Sequence, residues 1–180
     1  TALILFANVE QACRAVALLK QTPVTAVELM DRAALRSVQE KPDMPDYLHG
    51  LDHEVAALLV DVREADERKL QASVAQVLEV LEPLELVRPA EFTFEPAAYQ
   101  ALWNIRKGLF PAVGAVRATG TTVIIEDIAF PVEQLAAAVR RLHQLFDQYQ
   151  YHEALIFGHA LEGNLHFVFT QDFSTEAEGR

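Results

Sequence analysis

Short apolar runs suited to strands alternate along this chain with stretches of helical periodicity, and this alternation constrains the fold more than any other feature. Residues 2–6 are apolar throughout, and Asn8 with Gln11 three positions later resembles a capping box, so a strand passes directly into a helix over about 9–20. Thr25 with Glu28 repeats that signature and predicts a second helix through about 39, closed by the Pro/Asp-rich segment from Lys41 to Asp46. Residues 55–62 form a largely apolar strand. Leu70, Val74, Val77, Leu78 and Leu81 recur at helical spacing, and Pro83 ends that helix.

The pattern then repeats. A strand is expected near 85–94, and Glu95-Pro96 opens a helix that carries Trp103, Arg106 and Lys107, with Gly108 just past its end. Residues 109–120 read as a loop, and Thr121 to Ile125 are β-branched enough for a strand. Pro131 suits the first position of a helix with Leu135, Val139, Leu142 and Phe146 on one face, and strands follow at about 153–159 and 165–170. The order is βααβαβ and then αβαββ. Two similar halves, about 1–95 and 96–180, predict an α+β fold of ferredoxin-like βαβ units, with a mainly antiparallel sheet and helices on one face.

Composition narrows the function. The chain has 180 residues, 51% hydrophobic, enough for one substantial core. Fifteen Lys and Arg against 26 Asp and Glu give a formal net charge of −11, with no basic run, which argues against a nucleic-acid partner. No apolar run approaches the ~20 residues of a membrane span. A single cysteine, Cys13, rules out an internal disulfide and a cysteine metal cluster, and it reads as a small core residue of a protein in a reducing, cytoplasmic setting. Seven glycines include neither G-x-G-x-x-G nor a P-loop, so a nucleotide would have to be held elsewhere. The chain begins inside an apolar run without Met and ends on a polar Ser174–Arg180 stretch, as an excised piece of a longer protein would.

The densest chemistry lies between Phe157 and Val168. A two-residue Glu162-Gly163 turn would pair Leu161 with Asn164 and put His159 directly opposite His166, with both imidazoles on one face and close enough to share a divalent metal. Asn164 would project to the same face. Taken alone, the two histidines are more often a solvated pair on a hairpin, and two ligands make an incomplete metal site. Arg106 with Lys107 after Trp103 is, on the residues alone, more often a helix-end dipole partner beside a packing aromatic than a substrate clamp. Arg117, in the loop, is a further anion candidate or a solvated arginine. Glu126 and Asp127 are neighbours on a strand and point to opposite faces, and His49 and His53 read as surface residues.

Four landmarks occur in order: Leu102-Trp103-Asn104-Ile105-Arg106-Lys107, Phe110-Pro111-Ala112-Val113-Gly114-Ala115, Glu126-Asp127-Ile128-Ala129-Phe130-Pro131, and His159-Ala160-Leu161-Glu162-Gly163-Asn164-Leu165-His166. Together they resemble the FAD-linked oxidase C-terminal domain of flavoenzymes similar to D-lactate dehydrogenase, the glycolate oxidase D subunit and D-2-hydroxyglutarate dehydrogenase. The resemblance implies a separate N-terminal domain that holds FAD, with this domain roofing the flavin and shaping a pocket for a D-2-hydroxy acid. It implies that Arg106 grips the substrate carboxylate, that His159 and His166 ligate a divalent ion such as Zn or Mn, and that Asn164 contacts substrate beside them.

The family pattern continues with a Glu-His-Gly-x-Gly type motif, and this sequence ends at Arg180 before it. Glu176 and Glu178 do not fit that motif. The third ligand and the catalytic base are therefore expected beyond Arg180, and the isolated piece is expected to be colourless, inactive and prone to self-association through its flavin-facing surface. The resemblance also leaves room for a membrane or electron-transfer partner reached through other domains. A small-ligand-binding regulatory module of the same fold is the alternative on the residues alone, with a self-contained metallohydrolase behind it.

Overall fold

A computed structural model describes residues 1–41, 44–109, 111 and 119–174. Six strands form one antiparallel sheet: β1 (Ala2–Phe6), β2 (Ala26–Met30), β3 (Ala56–Asp61), β4 (Thr121–Ala129), β5 (Leu155–His159) and β6 (Asn164–Asp172). Their order is β1-β3-β2-β5-β6-β4. Each half of the chain thus supplies three strands, the first of each outermost and the second innermost. The halves meet where β2 pairs with β5.

Helices of the described residues include α1 (Val9–Leu19), α2 (Arg32–Val38), α3 (Glu67–Leu81), α4 (Pro96–Lys107) and α5 (Leu135–Gln148). The α+β antiparallel architecture agrees with the expectation from sequence, but the helices lie on both faces of the sheet. Val16 and Leu19 of α1, Val77 and Leu81 of α3, and Leu135 and Val139 of α5 pack on Ile4, Leu29, Leu58 and Ile156. Leu35 and Val38 of α2 and Leu102 and Ile105 of α4 pack on Leu5, Met30, Leu59 and Phe157. A strand such as 56–61, buried at every position, needs apolar cover on both sides, and one helical layer could not provide it.

The largest departure from the sequence reading falls at residues 25–31. Ala26–Met30 is the strand β2, not the first turn of a helix, and α2 begins only after Asp31. Asp31 supplies the cap: Oδ1 accepts from the Ala34 amide at 2.8 Å and Oδ2 from the Ile156 amide at 3.0 Å, and burial pushes this carboxyl up to about 7. The strand expected near 85–94 is absent too. The segment bridges β1 only at Phe6 and Leu86, with two further amide bonds, Val87 to Leu5 and Thr93 to Thr1. Pro89 removes a donor that a continuous ladder would need. Pro131 caps a 3₁₀ turn, Val132–Gln134, that leads into α5.

Cys13 is buried in the core between α1 and the sheet, and burial pushes its thiol up to about 12. The thiolate is therefore scarce at neutral pH, and a thiol reagent is expected to label Cys13 only on unfolding. Rapid stoichiometric labelling of the native protein would contradict this packing. No helix among the described residues is long and apolar enough to cross a membrane.

Candidate functional site

The site grows from the junction of the two halves. In the β2–β5 register Glu28 lies directly across from His159, and in the β6–β4 register His166 lies directly across from Asp127. Because successive side chains alternate faces, Glu28, His159, His166 and Asp127 all emerge on the α2/α4 face, shared with Met30, Phe157 and Val168. Four adjacent strands thus carry a row of carboxylate, imidazole, imidazole, carboxylate across the sheet.

The pairing of the two histidines corrects the expected hairpin. Phe157, not His159, is opposite His166, because the connection is a 3₁₀ turn, Ala160–Glu162, closed by Gly163 in the left-handed region at φ +75°. This wider turn shifts the register by two residues. A two-residue shift preserves the face, so the rings remain neighbours on a diagonal, with centroids 5.5 Å apart and planes at 81°. Gly158 allows the strands to close up here: at φ +151°, a Cβ on it would sit 2.9 Å from the Asn164 carbonyl oxygen and the Leu165 Cα.

Each imidazole is held through Nδ1. Glu28 Oε1 lies 2.6 Å from Nδ1 of His159, and Asp127 Oδ1 accepts from Nδ1 of His166. A carboxylate can only accept, so both rings carry their proton on Nδ1 and present Nε2 as the remaining ligand atom. Metal-binding histidines are commonly braced in this way. The environments differ: Glu28 is buried, whereas Asp127 is 64% exposed.

Arg106 arrives from the last turn of α4. Pro96 starts that helix after Glu95, and Leu102 and Ile105 bury its inner side in the second core. The Lys41 ammonium donates to the Gly108 carbonyl at 2.9 Å and secures its end. The Arg106 Nε then donates to Glu28 Oε2 at 2.7 Å, and its guanidinium carbon lies 4.5 Å from the centroid of the Phe157 ring. One buried carboxylate therefore holds Arg106 with one oxygen and His159 with the other.

Among the residues singled out from sequence, Arg106, His159 and His166 come together. Asn164 shares the strand face of His166, but its amide turns toward the β4 backbone, with Nδ2 3.5 Å from the Ile128 carbonyl. Glu126 and Asp127 point to opposite faces, and Asp127 serves His166. His49 and His53 lie near the exposed carboxylates of Glu40 and Asp52. Arg117, Glu176, Glu178 and all of the second landmark except Pro111 lie outside the described residues. Among the described residues, no group of three or more His, Cys, Asp or Glu side chains is arranged to hold a metal.

Glu28 is the site residue that sequence reasoning missed. The signal available was the β-branched trio Val24, Thr25 and Val27 ahead of Asp31, itself a better helix cap than Thr25.

The sequence model of "FAD linked oxidases, C-terminal domain" matches residues 1–180. The chain belongs to the FAD-linked oxidase C-terminal domain family. Solved structures agree on the fold: alkyldihydroxyacetonephosphate synthase in a P1 crystal superposes with a TM-score of 0.68 at 15% identity over 96% of this chain. The same enzyme in a P212121 crystal gives 0.63 at 13% identity, also over 96%. This chain spans only 36% and 35% of those two chains. No curated protein sequence matches it.

Proposed function

We propose that this chain is the substrate-binding domain of a larger FAD-dependent dehydrogenase acting on the CH–OH group of D-2-hydroxy acids of the lactate or glycolate type. The observation that carries the reading is the single buried carboxylate of Glu28, which holds a cationic fork and an imidazole within one site. A 2-hydroxy acid has the matching pair of groups, a carboxylate next to a hydroxyl.

Arg106 anchors the substrate. Its Nε is committed to Glu28, so an incoming carboxylate meets the terminal nitrogens, whose two parallel N–H bonds orient it. The Phe157 ring beneath the guanidinium limits its swing. His159 and His166 direct Nε2 toward the hydroxyl end, either as hydrogen-bond acceptors or as ligands of a divalent cation such as Zn or Mn, with further ligands from the rest of the full-length protein. Such an ion, when bound, lowers the pKa of a substrate hydroxyl. Asn164, on the same face of β6, is the adjacent polar contact. The flavin, the hydride acceptor, belongs to a separate FAD-binding domain, since this chain carries no glycine-rich phosphate cradle.

The test is anaerobic mixing of the full-length protein with D-lactate, D-2-hydroxyglutarate and glycolate, followed by flavin absorbance. Bleaching of the oxidised flavin by at least one acid, with L-enantiomers much slower, is expected. Retention of the oxidised spectrum with every acid would overturn the reading.

A further inference from the structure

We propose that Glu28 is a positioning residue for both functional groups of this site, fixing the tautomer of His159 with one oxygen and the orientation of Arg106 with the other. This rests on the reading of Arg106 and His159 given above, and it adds a residue that belongs to none of the four landmarks.

Glu28 sits on an interior strand, between Leu59 of β3 on one side and His159 of β5 on the other. The next residue on the same face of β2 is the buried Met30. Nothing about packing calls for a charge there, and an ionised carboxylate out of water is costly unless its lone pairs are used. Here both oxygens are used, and both partners are groups assigned to substrate or metal. The Arg106 side chain is 15% exposed and that of His159 52%, so a buried carboxylate tethers two side chains that both keep some access to solvent. Asp127 gives His166 the equivalent brace from an exposed position, where water competes for the bond.

A carboxylate at 28 can accept from both Nδ1 and Nε. A glutamine cannot do so equally well: its amide NH₂ faces one donor with another, so one partner is released. Glu28→Gln should therefore disturb His159, Arg106 or both without changing side-chain volume. Glu28→Asp keeps the charge and shortens the reach.

The experiment compares wild-type, Glu28→Gln, Glu28→Asp and Asp127→Asn full-length protein, with flavin content and circular dichroism checked first. Three readouts follow: the tautomer of His159 by ¹⁵N-histidine NMR of the metal-free protein, zinc or manganese affinity by chelator competition, and the KM and kcat for the 2-hydroxy acid. The wild type should show His159 protonated on Nδ1. Glu28→Gln should lose that single tautomer, bind metal about 10- to 100-fold more weakly, and raise KM about tenfold with a smaller change in kcat. Asp127→Asn should show the smaller loss of metal affinity, and Glu28→Asp should recover part of the Gln deficit.

An unchanged His159 tautomer, metal affinity and KM in Glu28→Gln would overturn the proposal. A wild type that takes neither metal nor hydroxy acid would sink the proposed function instead. The tautomer then decides on its own, and an unchanged one overturns the role of Glu28. If Glu28→Gln fails to fold, Glu28→Asp takes its place: a changed tautomer, affinity or KM supports the role of Glu28, and three unchanged values overturn it.

Discussion

Replacing Arg106 with lysine in the full-length protein is expected to lower kcat/KM for a D-2-hydroxy acid by about two orders of magnitude, roughly 2.7 kcal/mol of transition-state binding. An ammonium keeps the charge that offsets buried Glu28, so fold and flavin content should survive. What is lost is the planar fork, because one Nζ cannot donate to Glu28 and give two parallel bonds to a substrate carboxylate. Arg106→Ala is a harsher change. It leaves the Glu28 carboxylate buried with only His159, and breaking a buried pair by removing one partner costs about 3–5 kcal/mol. The two variants together separate catalysis from stability: the alanine should lose thermal stability and activity, the lysine activity alone. Wild-type kcat/KM in Arg106→Lys would remove Arg106 from substrate binding.

How much of this was legible in the sequence follows from which periodicities survive an error. A two-residue turn puts His159 and His166 directly opposite each other, and the actual turn geometry makes that wrong by two residues. The side-chain period of a strand is also two, so the shared face and the closeness of the rings hold. A slip of one would have parted them. The role of Arg106 came only from the family resemblance, whereas the helix that carries it was legible because a proline start, apolar positions 102 and 105 and a terminal glycine define α4 locally. Glu28 was not. Thr25-x-x-Glu28 satisfies a capping box, and only the long-range pairing of β2 with β3 and β5 converts the same residues into a strand. The helices on the second face were hidden for a related reason: a strand buried on both sides reads as a plain apolar run, and such a run does not say what covers it.

The hairpin that carries the histidines should be the fold's most intolerant point, and Gly163→Ala tests it. Gly163 has φ +75°, where a Cβ already costs about 1 kcal/mol. That Cβ would also lie 1.9 Å from the carbonyl oxygen of Phe130, a backbone atom that cannot swing aside. Phe130 is tied to this turn, since its amide donates to the Gly163 carbonyl at 3.0 Å. The clash therefore pushes directly on the end of β4 that carries Asp127, and on Asn164, the first residue of β6. Relief requires the turn to open or the hairpin to change register, and either displaces His166 from His159. A cost of about 3–5 kcal/mol is expected, the range of severe overpacking added to backbone strain, or roughly 10 °C in melting temperature for a unit of this size. Gly50 provides the control: its φ of +72° is nearly the same, but nothing lies within 4 Å of its Cβ position. Gly50→Ala should thus show the conformational cost alone, about 1 kcal/mol. Scanning fluorimetry on the two alanine variants distinguishes the cases. Equal and small shifts would mean that Phe130 yields freely and that the register of the β5–β6 hairpin, and with it the position of His166, is not set by Gly163.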